Sequence, residues 1–64
     1  MNIKEKNSDR ILSFLRNDLG LSNSSIDLGL KLSIKNNISL PIALWSHGLI
    51  NTEELDDLYR FIWS

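Results

Sequence analysis

The chain repeats its own pattern of apolar residues after 29 residues. The matched pairs are Ile11 with Leu40, Leu15 with Leu44, Leu21 with Ile50, Ser22 with Asn51, Ile26 with Leu55, Leu30 with Tyr59, and Ile34 with Trp63. Leu28 falls on Asp57, so the match is imperfect. A repeat of this length can hold one pair of helices, and a single pair cannot bury its own apolar face. The sequence therefore predicts two similar helix-turn-helix halves that pack together.

The first half begins with a helix predicted over Ser8 to Leu19. Ile11, Phe14 and Leu15 follow the spacing of one helix face, and Gly20 stands where a helix end favours a residue that tolerates positive φ. Residues 1–7 are polar and show no helical period, so we expect a flexible leader there. Residues 8–64 are expected to form a single helical domain.

The segment from residue 26 to residue 34 is ambiguous. Its apolar residues alternate strictly, as in a half-buried strand: Ile26, Leu28, Leu30, Leu32 and Ile34. Three of them are also spaced four apart, as on a helix face, and the serines from Ser22 to Ser25 offer helix caps. Leucine favours helices, and the repeat aligns this segment with the last helix of the chain. Both arguments favour a helix over a strand.

The second half starts with a short helix predicted over Leu40 to His47. Pro41 lies in its first turn, where a missing N–H costs nothing, and Gly48 closes it. The fourth helix has the clearest start signal in the chain. Asn51 is its expected N-cap, Glu54 reaches back to it, and Ile50 and Leu55 occupy the positions of a hydrophobic staple. The predicted fold is thus an all-α domain of four helices.

Length and composition limit the possible functions. A chain of 64 residues without cysteine has no disulfides, so extra support comes from helix packing or from a partner subunit, and a homodimer is possible. The net charge of -1 makes nucleic acid an unlikely partner. We expect no membrane span, because no apolar stretch reaches the required length, and a cytoplasmic location.

Three segments of the chain carry a resemblance to a known family. They are residues 11–15, residues 25–30, and residues 40–50 with their Leu-Pro, Leu-Trp and Gly-Leu-Ile elements. Together they resemble a family of short cyanobacterial proteins of unknown function. The resemblance implies a cyanobacterial cytosolic protein and no particular activity.

The segment from Leu40 to Leu55 is more distantly similar to a helical repeat in the N-terminal domain of type II secretion and type IV pilus assembly ATPases. In that family an Arg-Leu-Gly to Gly-Leu-Ile stretch binds cyclic di-guanylate. Here Ser39 replaces the arginine and Pro41 replaces the glycine. These changes remove a guanidinium and a close backbone approach, which a phosphate would use.

The sequence offers no constellation for catalysis. His47 is the single histidine, and its position at a helix end is typical of a packed or capping residue. No cysteine or second histidine accompanies it, so we expect no metal site, no cofactor and no enzyme activity.

Surplus apolar residues point instead to a partner. Ile42 and Trp45 project from the side of helix three opposite its main apolar stripe, while Phe61 and Trp63 lie off or at the edge of the stripe of helix four. A terminal tryptophan folded back onto the core is the alternative for Trp63. We predict a non-enzymatic interaction or regulatory adaptor that binds another protein, or itself, through these four residues.

Two other functions remain open at this stage. The first is a cyclic di-guanylate sensor, which the resemblance to the pilus ATPases implies. The second is a helix-turn-helix DNA-binding protein, in which helix two would present Lys31 and Lys35 to the duplex.

Overall fold

Four helices make up the computed structural model, which describes the backbone of residues 3–63 and the side chains of residues 9–63. They are α1 (Ile3–Asn17), α2 (Asn23–Asn36), α3 (Leu40–Ser46) and α4 (Thr52–Trp63). The described residues contain no strand, so the ambiguous segment is helical. The predicted all-α fold is confirmed.

The helix boundaries differ from the prediction mainly in α1. This helix begins at Ile3 and not at Ser8, because the lysine and glutamate residues before Ser8 are good helix formers and no breaker precedes them. Met1 and Asn2 lie outside the described residues, and the flexibility of the leader stays a prediction. α1 also ends at Asn17, two residues before the predicted end, and Gly20 has the expected positive φ of 70°.

Side-chain caps fix the starts of α2 and α4. Ser22 Oγ accepts the N–H of Ser25 at 3.1 Å. At α4 the cap is reciprocal, since Asn51 Oδ1 accepts the N–H of Glu54 at 2.8 Å and Glu54 Oε1 accepts the N–H of Asn51 at 2.9 Å. The capping box predicted for helix four is confirmed.

The two halves form equivalent turns. The N–H of Leu21 donates to the carbonyl oxygen of Leu15 at 2.9 Å, and the N–H of Ile50 donates to that of Leu44 at 3.4 Å. These two bonds coincide under the shift of 29 residues. Leu15 and Leu44 are also both fully buried. The predicted pair of helix-turn-helix halves is therefore present in the structure.

The helices form a closed ring around one core. α1 contacts α2 and α4, and α3 contacts the same two helices from the other side. Among the described residues, the backbones of α2 and α4 do not approach each other as the neighbouring helices do, so α2 and α4 occupy opposite corners of the ring. The buried apolar residues come from both halves: Leu15, Ile26, Ala43, Leu44, Ile50 and Leu58.

Gly29 sets the distance between α2 and α3. A Cβ at this position would overlap the buried side chain of Leu44 and would lie 3.3 Å from Cδ1 of Leu40. Only a glycine allows this approach, although glycine weakens a helix. Leu58, which is fully buried, is the equivalent residue in α4, so the two halves differ in side-chain size at this position.

Candidate protein-binding surface

The four residues predicted to bind a partner occupy two separate places. Ile42 and Trp45 lie on α3, and the indole N–H of Trp45 donates to Oγ1 of Thr52 at the start of α4, at 3.4 Å. Phe61 follows Thr52 by nine residues, which is about 13 Å along the axis of a helix. Phe61 and Trp63 therefore lie at the far end of α4 and do not join the α3 pair.

α3 is apolar on most sides because it packs between α2 and α4. Pro41, Ala43 and Leu44 are buried by these contacts. Ile42 is half-buried, and Trp45 keeps 44% of its surface exposed although its N–H has a partner. The packing thus accounts for most of the apolar surface of α3. Ile42 and Trp45 are the part that it leaves open.

Phe61 packs against α1. Its ring stacks on Phe14 with the ring centroids 4.3 Å apart and the planes 18° from parallel. The guanidinium carbon of Arg10 lies 5.2 Å from the centroid of the Phe61 ring, within the range of a cation–π contact. Phe61 is half-buried in this arrangement. The stack joins the first and last helices of the chain.

A groove runs along the line where α1 meets α4, and Phe61 lines each of its three adjoining depressions. We call it the α1–α4 groove. The largest depression has a volume of about 490 Å³ and is lined by Phe14, Asp18, Leu19, Asp57, Arg60 and Phe61. Arg10 lines the other two depressions. The groove therefore has an aromatic floor and a rim that carries charges of both signs.

Trp63 does not fold back onto the core. Its side chain is 82% exposed, and the equivalent residue of α2, Ile34, is 81% exposed. Both lie near the C-terminal end of their helix, on the side that faces away from the ring. Packing within the described chain does not explain why two large apolar side chains are exposed at these positions.

His47 caps the end of α3. Its Nδ1 lies 3.1 Å from the carbonyl oxygen of Ala43 and 3.2 Å from Oγ of Ser46. These local contacts match the capping role predicted for it. No group of three or more metal-ligating side chains occurs within the described part of the chain.

The sequence did not identify Arg10 and Phe14 as part of a binding surface. The spacing of Phe14 predicts a place on the core stripe of helix one, and nothing in the sequence pairs it with a residue 47 positions later. One signal pointed in this direction, namely that Phe61 lies off the apolar stripe of α4. A phenylalanine in that position can contact another element or a partner.

The structure also describes the residues on which the DNA-binding and cyclic di-guanylate hypotheses rest. Lys31 and Lys35 are exposed on α2, on the same side as Asp27. Pro41 is buried in the first turn of α3, and Ser39 makes no capping bond with its side chain. The DNA-binding and cyclic di-guanylate hypotheses stay predictions. None of the helices in the described region is long and apolar enough to cross a membrane.

Comparison with known proteins places the chain in a family. The family model described as "Protein of unknown function (DUF2949)" matches residues 8–63. No curated protein and no solved structure matches the chain.

Proposed function

The chain belongs to the DUF2949 family of proteins of unknown function, and we propose that it is a non-enzymatic cytoplasmic adaptor that binds another protein through the α1–α4 groove. The observation that carries this proposal is the Phe14–Phe61 stack under the Arg10 guanidinium, on the floor of an open groove. Aromatic residues and arginine are the side chains that most often dominate the energy of protein interfaces.

The groove is suited to a partner that offers a helix with apolar anchors. Two antiparallel helices form its walls, because Arg10 lies near the end of α4 while Asp18 lies near Asp57. An amphipathic helix can lie in such a groove and insert side chains into its depressions. The stacked rings are already ordered, so little conformational entropy is lost on binding.

An adaptor needs a second contact surface, and α3 supplies one. Ile42 and the exposed part of Trp45 lie one turn apart on α3. They are near the start of α4 and away from the groove. A partner that covers them would bury the face of a tryptophan whose N–H is already satisfied. We assign the second contact of the adaptor to this pair.

The groove is tested by a charge reversal on its rim. Asp18→Lys changes the rim without touching the aromatic stack, and Asp9→Lys makes the same change at an exposed residue of α1 that lines none of the three depressions. Tagged wild type and Asp9→Lys are expected to retain the same partner from source cells, while Asp18→Lys loses it. Binding constants are then measured with the purified partner.

The α3 surface has its own matched pair of variants. Trp45→Ala removes an indole that is 44% exposed, and Leu28→Ala removes a leucine that is 45% exposed on α2. Only Trp45→Ala is expected to weaken the second contact. If all variants retain the same proteins as wild type, or if wild type retains none, the adaptor proposal is wrong.

A further inference from the structure

The two halves of the chain match on their outer surface as well as in the core. Under the shift of 29 residues, Asp27 coincides with Asp56, Lys31 with Arg60, and Ile34 with Trp63, and all of these side chains are exposed. Matched core residues are expected of two halves that pack alike. Matched charges in solvent are not required by packing. Their spacing of four residues allows an ion pair within each helix, as between Asp56 and Arg60, and leaves the charged groups accessible to another molecule.

The outer surfaces of α2 and α4 face away from each other. The α2 arc consists of Asp27, Lys31, Ile34 and Lys35, and the α4 arc consists of Glu53, Asp56, Arg60 and Trp63. Each arc lies on the side of its helix opposite the buried residues, which include Ile26 in α2 and Leu58 in α4. Because α2 and α4 occupy opposite corners of the ring, one arc points to each side of the molecule.

The charges of the two arcs are complementary when the helices run antiparallel. Along α2 the order is negative, positive, positive, at Asp27, Lys31 and Lys35. Along α4, from its C-terminal end, the order is positive, negative, negative, at Arg60, Asp56 and Glu53. Spacings of three or four residues keep each set on one face. Every charge of one arc can therefore meet an opposite charge on the other.

We propose that this chain associates with further copies of itself, head to tail, by pairing the α2 arc of one copy with the α4 arc of the next. Ile34 and Trp63 then lie near the two ends of the contact and add apolar area to it. Since the two arcs lie on opposite corners, each copy binds one neighbour on each side. Such a head-to-tail contact makes an open chain or a ring of several copies, and not a two-fold dimer.

Pairing between identical arcs is less favourable. When two α2 arcs pair antiparallel, Lys31 faces Lys31 between two Asp27–Lys35 pairs. When two α4 arcs do so, Asp56 faces Asp56 between two Glu53–Arg60 pairs, so each like pairing has one repulsive contact that the mixed pairing lacks. Like charges in contact oppose association. The charge order thus selects the mixed pairing.

The association is expected to be weak and sensitive to salt. One helix face is smaller than a standard protein interface, and exposed ion pairs contribute little. The Asp56–Arg60 pair within α4, at 3.0 Å, is itself exposed and leaves both groups accessible to a neighbour. At about 1 M salt the screening length falls to about 3 Å, so the assemblies should dissociate.

Sedimentation equilibrium over a range of concentrations tests this proposal with the chain of 64 residues. The mean mass of wild type should rise steadily above 7.3 kDa as its concentration increases, and it should fall back in high salt. Lys31→Glu/Lys35→Glu reverses the α2 arc, and Glu53→Lys/Asp56→Lys reverses the α4 arc. Each variant alone should stay monomeric, with helix content checked by circular dichroism. Asp9→Lys, at an exposed position of α1 outside both arcs, is the control and should behave as wild type.

A mixture of the two variants gives the decisive result. The reversed α2 arc of one then complements the reversed α4 arc of the other, and the unchanged arcs complement each other as well, so the mass should rise again. A constant mass of 7.3 kDa for wild type, a plateau at twice that mass, or a mixture that stays monomeric would overturn the proposal. The groove shares Arg60 with the α4 arc, but none of the four substituted residues lines it, so these results are separate from the proposed adaptor function.

Discussion

Gly29 shows how a single residue sets the packing of two helices. Alanine at this position should strengthen α2 by about 1 kcal/mol through helix propensity alone. Its methyl group would also overlap Leu44, which is fully buried and cannot move aside freely, and overpacking costs about 1–3 kcal/mol. We expect Gly29→Ala to lower the free energy of unfolding by about 1 kcal/mol, as measured by urea denaturation.

A smaller side chain at residue 44 identifies the cause of this loss. Leu44→Val removes part of the overlap, so Gly29→Ala should cost less in that background than in wild type. An equal loss in both backgrounds would show that contact with Leu44 is not responsible. A gain of about 1 kcal/mol in the wild-type background would mean that α2 and α3 separate without cost.

At the scale of the helices, the sequence predicted which elements exist better than where they end. The repeat correctly assigned the alternating segment around Leu28 and Leu30 to a helix, because both halves have to pack in the same way. Leu28 coincides with Asp57 in the repeat, and both positions are exposed, so this mismatch falls where packing makes no demand. The early start of α1 could not be predicted from apolar periodicity, because the residues before Ser8 are mostly polar and favour a helix only through their intrinsic propensity.

The caps of α3 and α4 provide a matched test of element stability. The side-chain oxygen of Asn51 accepts a hydrogen bond from the N–H of Glu54 at the start of α4. Asn51→Ala should therefore lower the free energy of unfolding by about 1 kcal/mol. Ser39 occupies the same position in α3 but makes no side-chain bond there, so Ser39→Ala should change it by less than about 0.5 kcal/mol. Urea denaturation of both variants measures the difference. Equal losses would contradict the assigned cap geometry.

At the scale of the whole molecule, the binding groove was harder to predict than the fold. The sequence indicated that the core would not fully cover the side chains of Phe61 and Trp45, since each lies off the main apolar stripe of its helix. It could not show that Phe14 and Arg10 join Phe61, because that contact depends on how α1 docks on α4. Periodicity describes one element at a time, whereas a groove is made by two.

The ring of helices also predicts that neither half folds alone. Two of its four contacts, α2 with α3 and α1 with α4, join one half to the other, and the buried residues Leu15 and Leu44 come from different halves. Isolated helices of this length are marginal in water, and chains below about 40 residues rarely sustain a core. Peptides of residues 1–37 and 38–64 should therefore each show little helical circular dichroism, while an equimolar mixture at high concentration regains part of it. The intact chain should unfold in one transition, with tryptophan fluorescence and circular dichroism coinciding. Native-like helicity in either peptide alone would show that the repeat is a pair of independent units and that the contacts between halves are secondary.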